Sequence, residues 1–288
     1  LTDLAPGSGI PNNPDAAGAD PHLAQALASG DALLRQFAYD PIYRVTSATG
    51  RECDRPLSTP AWLDVPRCTD LTRTRKYTEQ YRYDAAGNLL QLSHQSATDG
   101  FVRGFAVESS SNRLQVMQIG QAPVAYAYDG AGNMRSETSS RLFDWNHANQ
   151  LAVFRTQVAG SEPSVYTRYL YDGAGQRVKK LVRRQGGAVE VMHYIDGTFE
   201  HHRWDGTGAN NHIQVLDGTQ RVAIVRVGPA EPGDTTPPVQ YQLSDQIGSS
   251  TAVVDDTGAL VNSEDFTPYG ETSFGSFAKK RYRFTCME

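Results

Sequence analysis

Cysteine is scarce in this sequence, and long apolar runs are absent. The 288 residues include three cysteines, too few for a disulfide framework in a chain of this length. Cys53 and Cys68 could form a disulfide. Their flanks lack the spacing of metal ligands, and we favour unpaired, inert thiols. No apolar run is long enough to cross a bilayer, and the first residues have no signal-peptide pattern. We therefore expect no direct membrane insertion.

A strong charge of either sign is also missing. The formal net charge of −5 and the pI of about 5.8 give no reason to expect binding to nucleic acid or to acidic lipids. Most basic residues are arginines spread along the chain. The nearest approach to a basic patch is Lys179, Lys180, Arg183 and Arg184, which we interpret as the solvated face of a strand.

The sequence lacks the patterns that carry chemistry. It has no phosphate-binding G-x-x-x-x-G-K-[ST] and no G-x-S-x-G nucleophile turn. Its Asp/Gly loops lack the further oxygen ligands and the final Glu of an EF-hand. His193, His201, His202 and His212 fall within 20 residues, but adjacent His201 and His202 point to opposite faces of a strand, so at most one can join a site. We expect no catalytic residue, no cofactor and no metal in this chain.

A repeated phrase is what the sequence has in abundance. YRYDAAGNLLQL (81–92) returns as YAYDGAGNMRSE (126–137) and as YLYDGAGQRVKK (169–180). Tyr39, Tyr83, Tyr128 and Tyr171 are separated by 44, 45 and 43 residues, with weaker echoes between them. The repeat is therefore about 22 residues long, and such self-similarity predicts units that bury a face by stacking on one another.

Each phrase has the chemistry of a β-hairpin. Tyr81 and Tyr83 alternate with Arg82, which places both rings on one face of a strand. Asp84 to Gly87 fit a type I turn followed by a bulge, in which Gly87 takes a positive φ and Asp84 accepts hydrogen bonds from the loop N–H groups. The Asp-x-x-Gly pattern recurs at 129–132, 172–175, 205–208 and 255–258, and SATGR (47–51) is a version without the Asp.

We predict an all-β fold of antiparallel hairpins that form part of a large curved or spiral sheet. Residues 1–36 are expected to be a linker, with short helical turns in HLAQALASGDALLRQF (22–37). Residues 37–240 carry the repeats. The candidate structural residues are Tyr83, Asp84, Gly87, Tyr128, Asp129, Gly132, Tyr171, Asp172, Gly175, Asp245, Gly248, Pro268, Tyr269 and Gly270.

These phrases resemble the Y-x-Y-D-x-x-G-N unit of the Rhs/YD-repeat family. The stretch YQLSDQIGSSTAVVDDTGALVNSEDFTPYGE (241–271), followed by KKRYRFTCME (279–288), is similar to the opening of the Rhs repeat-associated core domain. FAYDPIYRVTSATGRE (37–52) and YIDGTFEHHRW (194–204) look like the C subunits (TccC-like) of bacterial insecticidal Tc toxin complexes. Cys286 stands where the family usually has Gly.

The resemblance implies a structural role in a secreted toxin. Such C subunits, together with a B subunit that resembles SpvB/TcdB proteins, form a hollow β-shell around their own C-terminal cytotoxic segment. The resemblance also implies an aspartyl autoprotease in the core domain, whose residues would lie beyond residue 288, because 241–288 match only the start of that domain. We therefore expect a non-enzymatic shell segment, located outside the cell.

A second interpretation is a cell-surface YD-repeat module that binds carbohydrate or a neighbouring cell. Exposed aromatic side chains such as Trp145 and Trp204 would serve it, although tryptophans in strands are more often buried.

Overall fold

The structure is a computed structural model that describes residues 2–4, 34–53, 67, 69, 74–96, 100–138, 140–158, 160–245, 247–277 and 280–286. The strands in chain order are β1 (Thr2–Leu4), β2 (Leu34–Tyr39), β3 (Val45–Cys53), β4 (Thr74–Tyr83), β5 (Leu89–Ser96), β6 (Gly100–Val107), β7 (Leu114–Ile119), β8 (Ala122–Tyr128), β9 (Met134–Glu137), β10 (Arg141–Trp145), β11 (Leu151–Thr156), β12 (Val165–Tyr171), β13 (Arg177–Arg184), β14 (Val189–Ile195), β15 (Phe199–Trp204), β16 (Gly208–Asp217), β17 (Gln220–Val227), β18 (Val239–Ser244), β19 (Ser250–Val254), β20 (Leu260–Phe266) and β21 (Thr272–Gly275).

The chain forms two compact units. Unit 1 contains residues 1–123 and 262–287, and unit 2 contains residues 124–261. A short 3₁₀ turn, Phe284–Cys286, is the only helical element in the described part of the chain, so the predicted all-β fold of antiparallel hairpins is confirmed. None of the described helices is long and apolar enough to span a membrane.

Unit 1 combines a meander of strands from the first part of the chain with a second segment, residues 262–287, from near its end. Strands β1 to β7 pair antiparallel with their neighbours in chain order, and β20 pairs with β21. Strand alternation places Tyr77, Glu79 and Tyr81 of β4 on its buried face. The apolar centre consists of Ala48, Tyr81 and Leu92, with further aromatic and aliphatic side chains packed around them.

Unit 2 is a simpler meander, in which β8 to β19 pair antiparallel in chain order. Its buried side chains include Val182, Met192, Trp204, Ile224 and Val253. Because each strand hydrogen-bonds to the strands before and after it, the unit has the neighbour-to-neighbour construction that a repeat predicts.

Two of the stretches predicted to form the Asp-x-x-Gly turn do not form it. SATGR lies within β3, where Gly50 pairs with Tyr77 and a Cβ on Gly50 would lie 2.8 Å from the Tyr77 hydroxyl oxygen. Close packing against an aromatic ring, not a turn, requires glycine there. In the 205–208 stretch, the residues with positive φ are Asp205 (49°) and Gly206 (75°), while Gly208 opens β16. Trp204 pairs with Gly208, so a three-residue loop joins β15 to β16 and is shorter than the predicted turn.

Cys53 is in a disulfide, so the expectation of unpaired thiols is wrong for this residue. Cys68 lies outside the described residues. Most of the predicted linker and helical turns also lie outside them, namely residues 5–33. Within the predicted helical stretch, residues 34–37 are extended, because they begin β2 and pair with β3.

Candidate functional site

The YD phrase folds into a five-residue turn, which we call a corner, and Asp129–Asn133 shows its geometry. The Asp129 N–H donates to the Asn133 carbonyl (2.9 Å), and the Gly132 N–H donates to the Asp129 carbonyl (3.1 Å). Asp129 Oδ1 accepts from the N–H groups of Ala131 and Asn133, both at 2.9 Å. Gly132 has a φ of 94°. The pKa of Asp129 is lowered, chiefly because the Asn133 side chain donates to its carboxylate.

The corner recurs at eight places in the described residues. They share the two backbone hydrogen bonds and a first residue whose side-chain oxygen accepts from the N–H of the fifth: 40–44, 84–88, 129–133, 146–150, 172–176, 245–249, 255–259 and 267–271. The first residue is Asn at 146 and Thr at 267. Asn149 and Tyr43 take the positive φ that glycine takes elsewhere. The corner is therefore defined by its hydrogen bonds, and its sequence tolerates substitution.

An aromatic residue just before a corner ties it to the preceding corner. The Tyr83 hydroxyl donates to the carbonyl of Val45, the residue after the corner at 40–44 (2.7 Å). Tyr171 does the same to Leu151, after the corner at 146–150 (2.8 Å). Before the corner at 146–150, Trp145 stands in place of tyrosine. Its Nε1 donates to the carbonyl of Met134, the residue after the corner at 129–133 (2.6 Å). The aromatic ladder is thus a series of directed hydrogen bonds between successive hairpins.

The fifth residue of a corner makes a second link, which sequence reasoning missed. Asn133 Nδ2 donates to Asn149 Oδ1 of the next corner (2.8 Å), and Gln150 Nε2 reaches the Gly175 carbonyl of the corner after it (3.3 Å). In unit 1, Asn88 donates to Asn112 (3.1 Å). The signal was present in the sequence, because the repeated phrase ends in Asn or Gln after the turn glycine.

The structure distributes the predicted residues along the chain rather than gathering them at one centre. The trios Tyr83–Asp84–Gly87, Tyr128–Asp129–Gly132 and Tyr171–Asp172–Gly175 lie at three corners, with Asp245 and Gly248 at a fourth. Pro268, Tyr269 and Gly270 lie in the corner at 267–271, where the Tyr269 hydroxyl is 2.5 Å from the Tyr83 hydroxyl. Burial and the hydrogen bond with Tyr269 raise the pKa of Tyr83.

Unit 1 also contains a fully buried carboxylate. Glu264 of β20 accepts hydrogen bonds from Thr272 Oγ1 (2.7 Å) and Arg283 Nε (3.0 Å), and Lys280 Nζ is 3.2 Å from its Oε2. Burial lowers the pKa of Lys280, and the Glu264 charge opposes this effect. These contacts fasten residues 280–283 to β20, and Phe284 packs on Phe266 with ring centroids 5.6 Å apart.

The described residues contain no group of three or more His, Cys, Asp or Glu side chains that could hold a metal ion. His202 is buried against Trp204, whereas His201 is half-buried and hydrogen-bonds to Asn211 Oδ1 through Nδ1 (2.8 Å). Trp204 is only 6% exposed. Since Trp145 donates its indole N–H to the backbone, both tryptophans of the carbohydrate-binding interpretation have structural roles.

Curated relatives are toxin subunits. Toxin subunit YenC1 of Yersinia entomophaga is 27% identical over 249 residues, which are 82% of this chain and 26% of YenC1. Toxin subunit YenC2 of the same organism is 24% identical over 253 residues, with the same shares of the two chains. The chain therefore spans about a quarter of the length of the curated relatives that it matches. A scan against models of protein families finds no match.

Solved structures share the fold. The crystal structure of TcdB2-TccC3-TEV matches with a TM-score of 0.74 and 23% identity, over 88% of this chain and 13% of that one. The structure of a Photorhabdus luminescens Tc holotoxin pore matches with a TM-score of 0.73, the same identity and the same coverage. The resemblance that the YD phrases predict is thereby confirmed: this chain is similar to TccC-like Tc toxin subunits and has their YD-repeat fold.

Proposed function

We propose that this chain is a section of the wall of a hollow β-shell, which encloses a C-terminal cytotoxic segment of the same protein and delivers it to a target cell. The observation that carries the proposal is the double link between successive corners. Among the corners at 129–133, 146–150 and 172–176, each is tied to the next by an aromatic donor and by an amide donor. Such links let a sheet extend by adding hairpins, which is what a wall requires.

The proposal includes the division of the chain and the roles of the predicted residues. Residues 37–240 would supply the repeats, and residues 241–288 would begin the domain that closes the shell. The aspartates and glycines of the corners at 84–88, 129–133 and 172–176 would set the hairpin geometry, and the tyrosines before them would pack one repeat on the next. In this proposal the segment is a scaffold, and any proteolytic release of the toxic segment is carried out elsewhere in the protein.

The proposed partner is a TcdB-like B subunit. The solved structures that share the fold are described as TcdB2-TccC3 complexes and as a Tc holotoxin pore, which supports this choice. A location outside the producing cell is supported by the disulfide of Cys53, because disulfides persist in oxidising surroundings.

A protease-protection experiment tests the proposal. The protein expressed from its complete gene, with a TcdB-like subunit, is treated with a non-specific protease, and survival of the C-terminal segment is followed by mass spectrometry. We expect that segment to survive until the shell is unfolded. Cleavage of the segment in the native complex, at the rate seen after unfolding, would contradict enclosure.

A matched pair of variants links protection to the corners. Gly175 has a φ of 83°, and a Cβ built on it would lie 3.1 Å from Gln150 Nε2. Gly173 of the same turn has open space around it. We expect Gly175→Val to shorten the protection of the C-terminal segment and Gly173→Val to leave it unchanged. Equal protection in both variants would show that this corner does not hold the wall together.

A further inference from the structure

A histidine lies between two carboxylates inside unit 1. His94 of β5 is 8% exposed, and Glu79 of β4 is 2% exposed. His94 Nε2 is 2.9 Å from Glu52 Oε2 of β3, and its Nδ1 is 3.1 Å from Glu79 Oε1. Both ring nitrogens therefore face carboxylate oxygens, and only the doubly protonated ring can donate to both.

Aromatic rings cover both faces of the same imidazole. Tyr77 stacks on one side, with centroids 5.2 Å apart, and Phe101 of β6 stacks within 6° of parallel at 4.7 Å. Their faces favour a positive charge between them. Burial alone would lower the pKa of His94, but the hydrogen bonds and charges of Glu52 and Glu79 raise it to about 9.

The charges around His94 balance only while the ring is protonated. Arg75 Nε is 2.8 Å from Glu52 Oε1, so two cations, His94 and Arg75, face two carboxylates. Further out, Arg103 of β6 lies over Phe101 and pairs with Glu271, and the charges of Arg35 and Asp265 act on Tyr77. Loss of the His94 proton would leave one buried carboxylate without a counter-charge, which is costly at low exposure.

Glu79 also connects the histidine to the part of unit 1 that returns late in the chain. The Tyr81 hydroxyl donates to Glu79 Oε2. The Tyr81 ring packs on Tyr269 with centroids 5.2 Å apart, and Tyr269 also meets the Tyr83 hydroxyl. Tyr269 belongs to the corner that joins β20 to β21. A short path therefore runs from His94 through Glu79 and Tyr81 to this hairpin.

We propose that His94 is a pH-sensitive lock, which holds the β20–β21 hairpin onto strands β3 to β5 when it is protonated and loosens it in alkaline solution. The lock goes beyond the proposed shell function and does not depend on it. Since the raised pKa of His94 belongs to the folded state, its stabilising contribution is complete below about pH 6.5 and is lost as the pH rises through about 9.

Two measurements on the full chain test the lock. NMR titration of the His94 ring is expected to show a midpoint well above the ordinary value. Hydrogen-exchange protection factors, which correct for the intrinsic pH dependence of exchange, are expected to fall for β20–β21 amides by at least about tenfold between pH 6.5 and 9.5. A normal His94 midpoint, or protection that stays constant across this range, would overturn the proposal.

Variants separate the lock from ordinary packing. His94→Gln is expected to lose the pH dependence of β20–β21 protection, while His147→Gln, at an exposed corner of unit 2, should keep the wild-type profile. If His94→Gln does not fold, Glu79→Gln serves instead and should move the midpoint to lower pH. Retention of the wild-type profile in His94→Gln, or in a folded Glu79→Gln, would contradict the lock.

Tyr81→Phe tests the path to the hairpin. It removes the hydroxyl that donates to Glu79 but keeps the ring that packs on Tyr269. We expect His94 to titrate near its wild-type midpoint. The hydrogen-exchange protection of β20–β21 amides should no longer depend on the protonation state of His94. An unchanged pH dependence of β20–β21 in Tyr81→Phe would show that the hydroxyl does not transmit the change.

Discussion

Units 1 and 2 are built from the same corner, yet they are held together by different interactions. In unit 2 the links run between neighbouring hairpins, as when Asn133 binds Asn149 and Tyr171 binds the Leu151 carbonyl. In unit 1, residues of β20, of β21 and of the corner between them contact strands that lie far earlier in the chain. The Arg51 guanidinium pairs with Asp265, and Arg103 Nη2 is 2.9 Å from Glu271 Oε2.

The difference follows from how far apart in sequence the partners lie. The Arg51 and Arg103 pairs join residues 214 and 168 positions apart, whereas the unit 2 links mentioned span 16 and 20. Closing a longer loop costs more conformational entropy. Directional, charge-assisted contacts specify where the returning segment, residues 262–287, docks. In unit 2, hydrogen bonds between neighbouring hairpins extend the sheet. In unit 1, ion pairs fix where the returning segment docks on the earlier strands.

Glu264→Gln should have the largest effect, because it removes the carboxylate at the centre of the unit 1 contacts. The change leaves the buried Lys280 ammonium and the half-buried Arg283 guanidinium without their counter-charge. Breaking a buried pair in this way typically costs about 3–5 kcal/mol. We expect unit 1 to unfold at much lower denaturant concentration in chemical denaturation, with the unit 2 transition unchanged.

An exposed ion pair in unit 2 is the matched control. Asp144 and Arg155 form a pair 3.3 Å apart, in which the Asp144 side chain is 47% exposed. Asp144→Asn should change the free energy of unfolding by less than about 1 kcal/mol. If the two substitutions destabilise equally, buried charge does not distinguish the units.

Gly132→Val should have the next largest effect, and it acts on the construction that the units share. Gly132 has a φ of 94°, a conformation that costs a side-chain-bearing residue about 1–2 kcal/mol. Gly130 occupies the same turn with open space around it and no positive φ, so Gly130→Val should cost less than about 0.5 kcal/mol. Denaturation of both variants checks the difference, and equal losses would refute the turn assignment.

The corners could be predicted from the sequence because their interactions lie within five residues. Asp84, Gly87 and Asn88 determine the turn through contacts with one another, whatever the rest of the chain does. The predictions for 47–51 and 205–208 are wrong because other residues decide the conformation there. At Asp205 the adjacent Gly206 offers a tighter turn, and at Gly50 the decisive neighbour is Tyr77, 27 positions away.

The buried charges could not be predicted in this way. Glu52, Glu79 and His94 lie on three strands and meet only because the register of β3, β4 and β5 aligns them. Nothing near Glu264 in the sequence distinguishes it from a surface carboxylate. The returning segment depends on the path of the chain over more than 160 residues, and local propensity does not determine that path.

The smallest expected effect comes from one hydrogen bond of the aromatic ladder. Tyr171→Phe removes the hydroxyl that donates to the Leu151 carbonyl but keeps the ring. A single neutral hydrogen bond contributes about 0.5–1.5 kcal/mol, so a loss of that size is expected for unit 2. The Tyr166 hydroxyl makes no hydrogen bond to the described residues, and Tyr166→Phe is the control. Because the ladder repeats, Tyr171→Phe should also increase hydrogen exchange in β11 and β12 without affecting unit 1. Equal effects of the two substitutions would mean that the ladder works by ring packing, and its hydrogen bonds would then be incidental to the link between hairpins.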